Sequence, residues 1–127
     1  MATRICIVED DESIRDILKI ILRNAGYETD FFSDGTAILT NTYAHPDLYL
    51  LDKQLQGFDG LNICEFIKLN EGTRKIPVIM MSAYPNVGEL ALAAGANGFL
   101  EKPFTIHALL NAISSLLLHE TAEQSLE

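Results

Sequence analysis

Short apolar runs alternate with longer amphipathic ones five times along this chain. The short runs are Ile5–Val8, Thr29–Phe32, Leu48–Leu51, Val78–Met81 and Gly98–Leu100. Their brevity and their β-branched and aromatic content predict strands. The longer runs carry helical spacing. In the first, Ile14, Ile17, Leu18, Ile21 and Leu22 form one stripe, Arg15, Asp16, Lys19 and Arg23 lie opposite, and Gly26 closes the helix. Further helices are predicted at Gly35–Asn41, Leu61–Leu69, Val87–Ala94 and Ile106–His119, with Asp34, Asp59 and Thr105 as N-caps. Strict alternation of strand and helix predicts an α/β fold: a doubly wound, five-stranded parallel sheet with helices on both faces. The near-continuous apolar character of Leu48–Leu51 fits a strand covered on both sides.

Composition narrows the function. At 127 residues the chain is sized for one domain, placed at residues 1–119, with 120–127 as a polar C-terminal tail. A net charge of -9 repels phosphate backbones and anionic lipids, so neither nucleic acid nor a membrane surface is expected as a partner. No stretch is long and apolar enough for a membrane helix, and the acids in MATRICIVEDDE interrupt any export signal. Two cysteines make no disulfide framework, which points to a reduced, cytoplasmic setting. Cys6 and Cys64 read as small buried hydrophobes. His45, His107 and His119 lack metal-ligand spacing, and His119 is expected to sit favourably at a helix C-terminus.

Parallel strands of such a sheet end on one edge, where ligands bind. The first predicted strand runs into Glu9-Asp10-Asp11-Glu12, the third into Asp52, the fourth into Ser82 and the fifth into Glu101-Lys102-Pro103. Carboxylates, a hydroxyl and an ammonium would therefore converge on one rim. Crowded carboxylates invite a hard divalent cation, with Mg²⁺ the usual candidate. A carboxylate can also act as a nucleophile toward phosphorus. Phosphoryl transfer then needs mainly positioning and positive charge, which Mg²⁺ and Lys102 can supply, with a hydrogen bond from Ser82. Asp11 fits a helix cap at least as well as a chemical role, and Lys53 and Glu101 read as solvated.

From about Arg4 to His119 the chain resembles the receiver domain of bacterial two-component response regulators. The matching pieces are ICIVEDDE, YLLDKQLQGFDG, PVIMMSAY and GANGFLEKPF, in order and each at a strand end. The resemblance implies strand order 2-1-3-4-5 and phosphorylation on an aspartate by a sensor histidine kinase or a histidine phosphotransfer protein. It implies Asp52 as phosphoacceptor and metal ligand, Glu9 and Asp10 as the acid pair of the metal site, with Asp10 on the metal and Glu9 acting mostly through water, and the main-chain carbonyl of Gln54 as a further Mg²⁺ ligand. Lys102 corresponds to the phosphate-binding lysine, Ser82 to the switch hydroxyl and Phe99 to the switch aromatic, and Lys102–Pro103 is expected to be cis. Gln54 and Tyr84 occupy the positions that tune loss of the phosphate.

The chain departs from the family pattern in three places. Gln56 stands where a proline is usual, so this loop is expected to be more mobile. The segment from Ser82 to Gly95 is about two residues short and holds Pro85 and Gly88, so the fourth helix should be short or irregular. Phe99 lacks the hydroxyl of the commoner tyrosine, leaving any switch there to packing. Two other functions compete. A haloacid-dehalogenase-like phosphatase would carry its nucleophile after the first strand in a DxD pattern, which Asp10-Asp11-Glu12 breaks. A degenerate receiver that only binds partners would not need the full set of acid-site residue types. No GxxxxGK[ST] or GxGxxG loop is present, and Gly57 and Gly60 are assigned to a turn.

Overall fold

The computed structural model describes residues 2–126, with side-chain surroundings as far as Leu118. The alternating pattern folds as β1 (Arg4–Val8), α1 (Glu12–Asn24), β2 (Glu28–Phe32), α2 (Thr36–Leu39) and β3 (Leu48–Asp52). A small hairpin of β4 (Gln54–Leu55) and β5 (Phe58–Asp59) follows. The chain continues through α3 (Gly60–Leu69), β6 (Val78–Ser82), α4 (Val87–Ala93), β7 (Gly98–Glu101) and α5 (Ile106–Leu126). All pairings in the main sheet are parallel, in the order β2-β1-β3-β6-β7. Setting the hairpin strands aside, that is the expected 2-1-3-4-5.

Side-chain alternation along each strand splits the core into two layers. Ile5, Ile7, Leu48, Leu50, Ile79 and Met81 pack against Leu18 and Leu22 of α1 and Leu109 and Ile113 of α5. The intervening Cys6, Val8, Tyr49, Leu51, Val78 and Met80 pack against α2, α3 and α4. Every residue of β3 and of β6 is buried, so the centre of the sheet is covered on both sides. Tyr49 is fully buried within this apolar strand, and the Tyr43 hydroxyl partners its own.

The helix ends follow local chemistry. Asp11 caps α1 by accepting from the Ile14 amide at 3.1 Å, and Asp59 caps α3 by accepting from Leu61 at 2.9 Å. Thr105 Oγ1 accepts from Ala108 at 3.0 Å at the start of α5. Asp34 acts one position before the cap, since Gly35 is the N-cap of α2 while the Asp34 side chain accepts from Thr36 at 2.9 Å. Helix α2 is shorter than its predicted Gly35–Asn41. Thr40 Oγ1 bonds back to the Thr36 carbonyl at 2.7 Å, and Asn41 turns left-handed at φ 56°. Helix α4 spans seven residues and Asn86 makes no side-chain cap, the short element that Pro85 and Gly88 foretold. Helix α5 runs past the predicted end at His119 to Leu126. The stretch Glu120–Leu126 holds no Gly or Pro to stop it. Position 119 is therefore helix interior, and its side chain lies outside the described ones. Among the described residues, no helix is long and apolar enough to cross a membrane.

Candidate functional site

Three strands run one residue further toward the rim than the hydrophobic pattern indicates, because backbone pairing continues after the apolar run ends. Asp52 is the last residue of β3, opposite Met81, and Ser82 is the last residue of β6, opposite Glu101. Their side chains therefore stand on sheet backbone. Glu9 follows β1 directly, and its amide still bonds to the Phe32 carbonyl of β2 at 3.0 Å.

The rim closes around one ammonium. Lys102 Nζ lies 2.7 Å from Glu9 Oε1 and 3.3 Å from Asp52 Oδ2. Glu9 is 1% exposed, so this contact is shielded from water. Burial, and then the hydrogen bond with Asp52, push the Glu9 carboxyl above the usual carboxylate range, while Lys102 draws it down. Burial works against the Lys102 ammonium, but Glu9 and Asp52 outweigh it and hold the lysine pKa above its ordinary value. One carboxylate oxygen each from Glu9, Asp10 and Asp52 lies within 4.8 Å of the others. Asp10 itself is exposed. This all-oxygen donor set fits a hard divalent cation.

Backbone and neighbouring groups hold the carboxylates in place. The Gln54 amide donates to Asp52 Oδ1 at 3.4 Å, and the Gln56 amide donates to Asp10 Oδ2 at 3.1 Å. Arg15 NH1 donates to the Glu9 carbonyl at 2.7 Å. Sequence patterning put Arg15 on the solvent side of α1, and no motif marks it as a brace for the acid loop. Gly60 is the first residue of α3 and not part of the turn, and a Cβ there would stand 2.2 Å from the Asp52 carbonyl oxygen. The first turn of α3 thus rests on the backbone that carries Asp52. Gly57 does take the turn role, at φ 78°.

Residues 5–114 match the family described as the response regulator receiver domain. The chain belongs to that family. It is 34% identical over 120 residues to the DNA-binding response regulator MtrA of Mycolicibacterium paratuberculosis, covering 92% of this chain and 52% of that protein. It thus spans about half the length of the curated relative it matches. A putative response regulator from Chloroflexus aurantiacus superposes with a TM-score of 0.88 at 29% identity, covering 93% of this chain and 99% of that one. The receiver domain of a sensor histidine kinase from Pseudomonas aeruginosa PAO1, with a magnesium ion coordinated in its active site cleft, superposes with a TM-score of 0.82. It is 28% identical and covers 92% of this chain and 98% of that one. The expectation of no nucleic-acid partner finds no support in these names: MtrA is described as DNA-binding, and the charge of -9 speaks only for this chain.

In this receiver Ser82 ends β6, Tyr84 lies in the loop after it and Phe99 stands on β7. Ser82 is buried, and its Oγ accepts from the Tyr84 amide at 3.1 Å. Tyr84 is 53% exposed. Phe99 is half-buried on the α4 side, and a Cβ on Gly88 would lie 3.3 Å from its ring. Only glycine at 88 leaves that ring its full space. Lys102–Pro103 is cis, as the resemblance implies. Glu101 is exposed, whereas Lys53 is ion-paired with Asp59 at 3.3 Å where sequence reading left it solvated. The loop after Asp52 forms the β4–β5 hairpin, with Gln56 tied to Asp10. Beside the site, an apolar groove of about 440 Å³ runs from Lys102, Pro103 and Phe104 along Ile14, Ile17 and Ile21 of α1.

Proposed function

We propose that this receiver accepts a phosphoryl group on Asp52 from the phosphohistidine of a sensor histidine kinase or histidine phosphotransfer protein, and that phosphorylation changes its protein partners. The observation that carries the reading is Lys102 Nζ set between Glu9 and Asp52 at the rim, 2.7 and 3.3 Å away. A carboxylate needs such a cation beside it to accept a phosphoryl group without prohibitive charge repulsion.

In the transfer, an Asp52 carboxylate oxygen bonds to phosphorus as the donor's phosphorus–nitrogen bond breaks, and the electron pair leaves with the imidazole. Lys102 neutralises charge on the phosphoryl oxygens, and the Ser82 hydroxyl donates to one of them. Glu9, Asp10, Asp52 and the Gln54 main-chain carbonyl would hold Mg²⁺, which when bound supplies positive charge to the same oxygens. Phe99, packed over Gly88, would carry the change toward α4 by a shift in packing. Self-dephosphorylation reverses the modification: water attacks phosphorus, the Asp52 carboxylate leaves, and inorganic phosphate departs. Gln54 and Tyr84 flank that approach. The apolar groove beside Lys102 offers the donor protein a surface next to the reacting carboxylate. Cys6 and Cys64, buried and not joined in a disulfide, accord with a cytoplasmic setting.

The test is incubation with acetyl phosphate and Mg²⁺, followed by mass spectrometry. One phosphate adduct is expected, lost in Asp52→Asn and on addition of EDTA. An adduct of equal yield in Asp52→Asn would overturn the assignment.

A further inference from the structure

We infer that the peptide N–H of Gln56 is a positioning group for the cation site, holding Asp10 with one carboxylate oxygen committed and the other free. The inference rests on the reading that Glu9, Asp10 and Asp52 bind Mg²⁺. The amide of Gln56 donates to Asp10 Oδ2 at 3.1 Å across 46 residues of sequence. Asp10 is the exposed member of the acid cluster and follows the end of β1, so the sheet does not fix it. Asp52 is set at the end of its strand and Glu9 is fixed by burial and Lys102. The Gln56 hydrogen bond supplies the third acid with a comparable restraint.

The hairpin makes this contact possible. Gln54 pairs with Asp59 and Leu55 with Phe58, leaving Gln56 and Gly57 as the two turn residues. Gly57 sits at φ 78°, while Asn41 is the one non-glycine with positive φ among the described residues, so Gln56 has negative φ. That combination fits a type II turn with Gln56 at its second residue, where proline is also favoured. A proline here would keep the turn but could not donate to Asp10. The residue that this chain carries in place of proline therefore adds one donor, aimed at the acid cluster. An Asp10 held in advance loses less freedom when it binds a cation, which raises affinity without adding a ligand.

The experiment compares wild type, Gln56→Ala, Gln56→Pro and Asp10→Asn by calorimetric titration with Mg²⁺ alone. Gln56→Ala keeps the peptide N–H and is expected to match wild type. Gln56→Pro is expected to bind about three- to tenfold more weakly, the loss of one charge-assisted hydrogen bond. In labelling by acetyl phosphate, Gln56→Pro should need correspondingly more Mg²⁺ for half-maximal rate yet reach the wild-type rate at saturation. A general structural defect would not produce that split. In the wild-type protein without metal, the Gln56 amide proton is expected to exchange slowly, and Asp10→Ala should speed it. Equal Mg²⁺ affinity in Gln56→Pro and wild type overturns the inference, as does an equal loss in Gln56→Ala and Gln56→Pro. No saturable Mg²⁺ binding by wild type, or undiminished binding by Asp10→Asn, overturns the underlying site reading and the inference with it.

Discussion

Glu9 is held through contacts that come from distant parts of the chain: Lys102 on its carboxylate, Arg15 on its carbonyl and Phe32 on its amide. Only the first of these was legible in the sequence. Lys102 lies at a strand end, where the geometry of a parallel sheet directs attention, whereas Arg15 sits on a helix with nothing to separate it from its solvated neighbours. The cysteines were legible as buried hydrophobes, and their chemistry follows. Burial pushes the Cys6 thiol up to about 12 and the Cys64 thiol up to about 11, so both stay protonated at pH 8. A thiol reagent such as DTNB is expected to label neither residue in the folded protein and both in denaturant. Fast labelling of either without denaturant would contradict the packing. Tyr84 carries a prediction on the lifetime of the phosphate. If its half-exposed ring limits access of water, Tyr84→Ala and Tyr84→Glu should lose phosphate about tenfold faster, the effect of about 1.4 kcal/mol on the barrier. Unchanged decay rates in both would remove the ring from the mechanism.

Among the elements, β3 carries Asp52 at its end, and α3 with the hairpin before it packs against that strand end. Gly60 lets the first turn of α3 lie on the carbonyl of Asp52, and Lys53 closes the loop by accepting from the Gly60 amide at 2.7 Å. A methyl group at position 60 meets backbone, which cannot rotate away. Gly60→Ala is expected to cost about 1–3 kcal/mol in urea denaturation and to slow labelling of Asp52 by acetyl phosphate. Wild-type stability in that variant would mean that the strand end shifts freely. The short α4 was legible, since Pro85 and Gly88 are local signals that act wherever they stand. The hairpin was not: two residues per strand leave no hydrophobic alternation to detect, and its partner at Asp10 lies 46 positions away.

Across the whole molecule the sheet is a shared wall between two apolar layers, with consecutive residues of β6 facing opposite sides. Ile79 packs toward α1 and α5, Met80 toward α2, α3 and α4, and both are fully buried. Ile79→Ala and Met80→Ala are each expected to cost about 2–5 kcal/mol and to leave a single cooperative unfolding transition followed by circular dichroism. Two separated transitions in either variant would show that the layers fold independently. The same architecture divides what sequence and tertiary structure decide. Strand–helix alternation, burial of the central strands and the convergence of Asp10, Asp52 and Lys102 on one rim were set by the sequence, because period and chain direction are local properties that a parallel sheet converts into position. The charge of -9 was equally plain, yet it bears only on this chain's own surface and not on the DNA binding in its relative's name. Tertiary structure alone decided that Arg15 braces Glu9, that Gly60 supports Asp52, that Tyr43 partners the buried Tyr49 hydroxyl and that Gln56 restrains Asp10. Each of these depends on a distance between groups that no local pattern encodes, and becomes fixed only when the two layers pack on the sheet.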